Sequence, residues 1–117
     1  MSDPDVIPLS LARSYGEFVF LSGIVGRESD RSIPSEFERQ ARLALEEVAR
    51  LLESEGASMS TVLKTTVFLP ARGDFRAMNA LYAEYFNEPW PARSTLITDL
   101  ALPELRFEIE VVAYRIA

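Results

Sequence analysis

Hydrophobic and polar positions along the chain follow two repeating patterns, one typical of strands and one typical of helices. Short runs rich in β-branched and aromatic residues predict strands at positions 6–13, 18–21, 61–69, 93–98 and 105–116. Apolar positions at helical spacing predict one helix between Pro34-Ser35 and Gly56, and another from Asp74 to about Phe86. The predicted order is therefore β-β-α-β-α-β-β.

Each predicted helix has one continuous apolar stripe. In the first helix the opposite face is charged, which is typical of a solvated surface. In the second helix the stripe is largely aromatic, which indicates either core or a subunit interface. The stripes consist of Phe37, Ala41, Ala44, Leu45, Val48, Leu51 and Leu52 in the first helix, and of Phe75, Met78, Leu81, Tyr82, Tyr85 and Phe86 in the second.

The last predicted strand has two different faces. By period two, the positions 105, 107, 109, 111 and 113 form an apolar face, whereas Glu108 and Glu110 share the other face with Tyr114. This pattern predicts an α+β fold with a mixed β-sheet and both helices packed on one face. The face with the two carboxylates is too mixed to stay bare, and we expect it to meet another subunit or a ligand.

Length and composition exclude several classes of protein. The chain has 117 residues, which predicts a single domain spanning positions 1–117. A net charge of −6 argues against nucleic acid as a partner. The acidic start Met1–Asp5 does not resemble a signal sequence, and no apolar run approaches the ~20 residues of a membrane span, so we expect a cytoplasmic protein.

Candidate chemistry is restricted by what the sequence lacks. There is no cysteine and no histidine, so thiol chemistry and the commonest general base and metal ligand are excluded. Lys64 is the single lysine, and its place within an apolar run favours a strand lysine over a Schiff base. Glu108 and Glu110 without further ligands do not predict a metal site. Any site must use arginine, carboxylates, hydroxyls and backbone groups.

Two residues are candidates for that site. Arg93 opens a predicted strand after Pro91-Ala92 and could bind a carboxylate through two parallel hydrogen bonds, although a surface salt bridge is the simpler interpretation from composition alone. Glu108 lies on a central strand and could act on a ligand, or form a structural ion pair with Arg106 or Arg93. Ser22 and Thr95 are hydroxyls that could orient a ligand beside Arg93.

Several short motifs occur in a fixed order over nearly the whole chain. They are Phe20-Leu21-Ser22-Gly23, Lys64-Thr65-Thr66-Val67-Phe68-Leu69, Asp74-Phe75 with Met78-Asn79 and Tyr82, Tyr85-Phe86, Pro91-Ala92-Arg93-Ser94, and Ile109 between Glu108 and Glu110. Their combination resembles the Rid (YjgF-like) family. The resemblance implies a chorismate-mutase-like fold and a homotrimer with ligand sites in the clefts between subunits.

The resemblance also implies an activity, which is hydrolysis of reactive enamines and imines such as 2-aminoacrylate to a 2-keto acid and ammonia without a cofactor. The family arginine that holds the substrate carboxylate falls on Arg93, and the glutamate that positions or activates water falls on Glu108. Ser22 and Asn79 fall on further family positions in the cleft.

Two positions depart from the family pattern. Leu9 stands where a tyrosine is expected, and Thr95 stands where cysteine is common. Loss of the tyrosine hydroxyl predicts a more apolar, roomier pocket for a larger imino acid. Two alternatives stay open: a non-catalytic sensor of 2-keto or related carboxylic acids, and an RNA-directed or chaperone-like role.

Overall fold

The computed structural model describes residues 6–116, so the predictions for Met1–Asp5 lie outside the described residues. The predicted element order is confirmed. The main elements are β1 (Ala12–Tyr15), β2 (Phe18–Leu21), α1 (Phe37–Ser54), β3 (Val62–Leu69), α2 (Phe75–Tyr85), β4 (Ala92–Ile97) and β5 (Glu108–Tyr114). Short 3-10 turns at Met59–Thr61 and Arg72–Asp74 precede β3 and α2.

The five strands form one mixed sheet in the order β1-β2-β5-β3-β4. Three of the four pairings are antiparallel, and β3 with β4 is parallel. A parallel neighbour requires a crossover connection, and α2 provides it. Because β4 is the edge strand, one margin of β4 is free of strand partners within residues 6–116.

Both helices pack on one face of the sheet, as predicted; we call this the helix-covered face and the other the open face. The helix-covered face of β5 consists of Ile109, Val111 and Ala113, each at most 2% exposed. The apolar stripe of α1 is buried against it over its whole length. The α+β class with two helices on a mixed sheet is confirmed, and the open face is left for other contacts.

Several predicted boundaries and one predicted environment are wrong. The first strand begins at Ala12 instead of position 6, and the last strand begins at Glu108 instead of position 105. Phe18 and Phe20, predicted to lie in a buried strand, are 48% and 46% exposed on the open face. When both faces of a strand are apolar, the sequence shows no alternation of apolar and polar positions. The pattern at positions 18–21 therefore did not distinguish core residues from residues of a second apolar surface.

A buried glutamine fixes the loop that leads into β5. The Gln40 side chain is fully buried and donates from Nε2 to the carbonyl oxygens of Pro34 and Glu104, at 2.8 and 2.9 Å. Its Oε1 accepts from the backbone N–H of Arg106 at 2.8 Å. The bonds to Glu104 and Arg106 connect α1 to the residues just before Glu108, so they help to position that carboxylate.

Neither α1 nor α2, the two α-helices within residues 6–116, has the combination of length and hydropathy needed to cross a lipid bilayer.

Candidate functional site

Arg93 lies flat on an aromatic surface supplied by α2. Its guanidinium carbon is 4.8 Å from the ring centre of Tyr82 and 5.9 Å from that of Phe75, and Nη1 is 3.7 Å from Sδ of Met78. Cation–π contact holds the guanidinium plane in place while leaving its edge open. The Tyr82 hydroxyl is in turn held by a 2.8 Å hydrogen bond with Thr65 Oγ1. Arg93 is therefore held by two aromatic rings and the Met78 sulfur, and within residues 6–116 it has no carboxylate partner.

Within residues 6–116, Arg93 forms no salt bridge with a carboxylate, so the surface salt bridge that composition favoured is wrong for these residues. A recess of about 270 Å³ opens beside it. Its walls are Asn79, Tyr82, Ala83, Trp90, Pro91 and Arg93. We call Arg93, Asn79 and Tyr82 the Arg93 group; an anion in this recess would meet a pre-oriented guanidinium and an amide.

Glu108 lies against the backbone of Gly23. A Cβ added at Gly23 would overlap Oε2 of Glu108 and would be 2.8 Å from its Cδ. The bridge between Ile24 and Ile109, with N–O distances of 2.7 and 3.0 Å in the two directions, brings the two chain segments together at this point. We call Ser22, Gly23 and Glu108 the Glu108 group. The absence of a side chain at Gly23 is what leaves space for the carboxylate.

The surroundings of Glu108 favour its protonated form. Burial raises the pKa of Glu108 above its usual value, and the negative charge of Glu110 on the same face raises it further. Within residues 6–116 no arginine or lysine forms a salt bridge with Glu108, so the alternative of a structural ion pair with Arg106 or Arg93 is excluded for these residues. A carboxylate with a raised pKa is a stronger base near neutral pH than an ordinary surface glutamate.

The N-terminal segment is tied to the Glu108 group. Ser22 Oγ donates to the Ser10 carbonyl oxygen at 2.6 Å, and the Ser22 N–H donates to the carbonyl oxygen of Leu11 at 2.9 Å. Leu9, adjacent to Ser10, is 59% exposed and lies outside β1. Leu9 therefore belongs to the side of the molecule that carries Ser22 and Glu108.

The two groups lie on opposite faces of the sheet. Arg93 of β4 pairs across the two strands with the buried Thr65 of β3, and both side chains lie on the helix-covered face. Glu108 is level with Phe68 of β3, on the open face. Strand spacing and rise place the Cα atoms of Arg93 and Glu108 about 14 Å apart, with side chains pointing in opposite directions. A small ligand cannot contact both groups of one chain.

The sequence-predicted residues thus divide into two sets. Ser22 and Glu108 come together, and Asn79 comes together with Arg93. Thr95 is on the same face of β4 as Arg93 but lines a neighbouring recess. Sequence reasoning missed Gly23 as the residue against Glu108; the glycine directly after Ser22 was the available signal.

The chain belongs to the Endoribonuclease L-PSP family, which is the YjgF/Rid family, because the family model matches residues 4–115. The family resemblance inferred from the motifs is confirmed. The chain is 34% identical over 110 residues to a RutC family protein of Pyrococcus horikoshii, covering 92% of this chain and 87% of that protein.

Two further relatives have names that describe an activity. Reactive Intermediate Deaminase A, chloroplastic, of Arabidopsis thaliana is 38% identical over 109 residues, covering 91% of this chain and 58% of that protein. A 2-iminobutanoate/2-iminopropanoate deaminase of Dermatophagoides farinae is 33% identical over 107 residues, covering 90% and 84%.

Solved structures confirm the YjgF-like fold. RidA from the Antarctic bacterium Psychrobacter superposes with a TM-score of 0.88 at 28% identity, covering 93% of this chain and 89% of that one. Yeast Mmf1 superposes with a TM-score of 0.87 at 27% identity, covering 96% and 90%.

Proposed function

We propose that this protein is a hydrolytic deaminase of reactive 2-imino acids and their enamine tautomers, which it converts to 2-keto acids and ammonia. The observation that carries the proposal is the combination of Arg93, oriented on aromatic rings without a carboxylate partner in residues 6–116, and Glu108, whose pKa is raised by burial. The names of the Arabidopsis and Dermatophagoides relatives support the same reaction class.

In this mechanism Arg93 binds the substrate carboxylate through a charge-assisted pair worth about 1.5–3 kcal/mol. Glu108 accepts a proton from a water while the water oxygen bonds to the carbon of the protonated imine, which gives a neutral carbinolamine. Glu108 returns that proton to the amino group, and the C–N bond breaks so that ammonia leaves. The carbinolamine hydroxyl gives its proton to Glu108 as the keto group forms. Positioning together with a general base worth about 10²–10⁴-fold accounts for catalysis without a cofactor.

One active site requires two copies of the chain in this proposal, because Arg93 and Glu108 of one copy face away from each other. A homotrimer with three interfacial sites fits this requirement. The open face supports it, since Phe18, Phe20, Leu96 and Tyr114 are each more than 40% exposed there. Such an apolar surface is typical of contact with another subunit.

Subunit mixing tests the arrangement directly. Imino acid is generated in situ by an amino-acid oxidase, and the acceleration of ammonia release is measured for Arg93→Ala, for Glu108→Gln, and for the two variants unfolded and refolded together. Each variant alone should be inactive. An equal mixture should recover about a quarter of wild-type activity. In a cyclic trimer assembled at random, about a quarter of the interfaces combine an intact Arg93 from one copy with an intact Glu108 from the next. No recovery would refute the shared site, and full activity of Arg93→Ala would refute the assignment.

The description of the family as an endoribonuclease supports an RNA-directed alternative. The net charge of −6 and the adjacent carboxylates Glu108 and Glu110 oppose the approach of phosphates. RNA cleavage that disappears in Glu108→Gln, without imine turnover in the wild type, would favour the alternative.

A keto-acid sensor would bind 2-oxobutanoate through Arg93 without any turnover that depends on Glu108. Titration calorimetry with 2-oxobutanoate, beside the ammonia assay, separates a sensor from an enzyme. For an enzyme, Glu108→Gln should keep its affinity for the keto acid and lose turnover.

A further inference from the structure

A second recess lies next to Arg93 along β4. It has a volume of about 470 Å³ and is lined by Arg72, Gly73, Phe75, Arg76, Thr95 and Ile97. Arg72 and Arg76 are exposed and lie four residues apart, across the 3-10 turn and the start of α2. Two guanidinium groups therefore border a recess that also presents the hydroxyl of Thr95.

These two arginines have no carboxylate of their own. Within residues 6–116 neither forms a salt bridge. The nearest acidic residue in sequence, Asp74, is occupied by Arg106, whose Nη2 lies 3.1 and 3.2 Å from its two oxygens. The positive charge at this recess is therefore not neutralised by Asp74.

The recess adjoins the Arg93 group at Phe75. The Phe75 ring contacts the Arg93 guanidinium and also forms a wall of the recess. Thr95 is two residues beyond Arg93 on the same face of β4, a separation of about 7 Å between Cα atoms. A ligand whose carboxylate lies on Arg93 can extend along the edge strand toward Arg72 and Arg76.

We propose that Arg72 and Arg76 form a subsite for a second anionic group, so that the protein prefers 2-imino acids with a negatively charged side chain, such as 2-iminoglutarate. This inference rests on the proposed function, because it assigns the far end of the substrate held by Arg93. Two arginines at the end of the side chain favour a carboxylate or phosphate over an uncharged group. The reaction class that supplies such a substrate is two-electron oxidation of an acidic amino acid at its amino-bearing carbon.

Keto-acid products are stable probes of this subsite. Titration calorimetry with 2-oxoglutarate and 2-oxobutanoate should give wild-type protein about tenfold tighter binding of the diacid, given the modest strength of solvent-exposed charge pairs. Arg72→Gln/Arg76→Gln should bind both keto acids equally and should retain wild-type affinity for 2-oxobutanoate. Arg50→Gln, which changes an exposed arginine on α1, should keep the preference.

Turnover separates failure of this inference from failure of the proposed function. Ammonia release should be faster from the imine of glutamate than from that of 2-aminobutanoate, and the double variant should lose only this difference. In one outcome the wild type binds the two keto acids equally while its turnover of the 2-aminobutanoate imine still depends on Arg93. That result would leave the proposed deaminase function standing and would refute the anionic subsite. A preference that survives the double variant would overturn it too. Absence of imine turnover would refute the proposed function itself.

Discussion

Gly23→Ala is expected to reduce activity with little effect on stability. The three heavy atoms nearest to the added methyl group all belong to the Glu108 side chain; they are Oε2, Cδ and Cγ. The backbone of Gly23 does not have a positive φ, so alanine causes no backbone strain there. The carboxylate is the end of a flexible side chain and can move aside, so the fold accommodates the substitution.

The size of the effect follows from the distance that Glu108 must move. Cδ would lie 2.8 Å from the new Cβ, while ordinary carbon–carbon contact is about 3.5 Å or more, so the carboxylate shifts by roughly 0.7–1 Å. A misplacement of about 1 Å lowers catalytic rate by up to ~10²-fold. We therefore expect kcat/KM to fall about 10- to 100-fold, with the change mainly in kcat.

Ammonia release and thermal unfolding are measured for this variant beside Gly16→Ala. Gly16 lies in the β1–β2 turn with φ of 60° and no atom within 4 Å of an added Cβ. Alanine in this left-handed conformation costs about 1–2 kcal/mol of stability and should not change activity. The two glycine substitutions should therefore have opposite profiles.

Full activity in Gly23→Ala would refute the idea that Gly23 determines where Glu108 lies. A large loss of stability in that variant would refute the claim that the carboxylate moves freely. In either case the Glu108 group would have to be redefined.

The remaining predictions concern ionisation and packing. Glu110→Gln removes the like charge that raises the Glu108 pKa, so the acid limb of the pH profile of kcat/KM should move to lower pH. Glu53→Gln, which changes an exposed residue of α1, should not move that limb. Because the native Glu108 pKa lies above its unfolded value, protonated Glu108 contributes stability that is present below about pH 4.5 and lost as pH rises through the native pKa. Glu108→Gln should thus unfold at higher temperature than wild type at neutral pH but not at acid pH; equal differences at both would contradict this. Gln40→Leu removes three part-buried hydrogen bonds to backbone groups and should lower the free energy of unfolding by about 2–4 kcal/mol in denaturant titration, and a loss below about 0.5 kcal/mol would contradict this.

Periodicity was sufficient for much of the fold. The apolar stripe of α1 and the alternating faces of β5 were predicted residue by residue. An element with one apolar face and one charged face can pack on the core in only one orientation. The exposed positions of Phe18 and Phe20 were not predictable, since core positions and an exposed apolar surface have the same sequence pattern here. The role of Gln40 was missed because a polar residue within an apolar stripe shows no sign of its distant partners, Glu104 and Arg106.

The sequence suggests candidate residues for the site but does not indicate how they are arranged. Arg93 and Glu108 were both identified, yet their placement on opposite faces depends on the parallel pairing of β3 with β4 and on its register. Register is set by nonlocal packing and leaves no mark within either short motif. The alternative of an ion pair between Arg93 and Glu108 does not hold within residues 6–116 for the same reason.

The two departures from the family pattern acquire separate meanings from this geometry. Leu9 lies on the Glu108 side, where it is largely exposed and supplies no hydroxyl. Thr95 lies on the Arg93 side, where it adds a hydroxyl next to Arg72 and Arg76. If two copies complete one site, then one copy supplies the Leu9 and Glu108 surface, which controls the access of water to the imine. The other copy supplies the Arg93 and Thr95 surface, which binds the negatively charged groups of the substrate. Substitutions at Leu9 should therefore act mainly on kcat, and substitutions around Thr95 mainly on the choice between substrates.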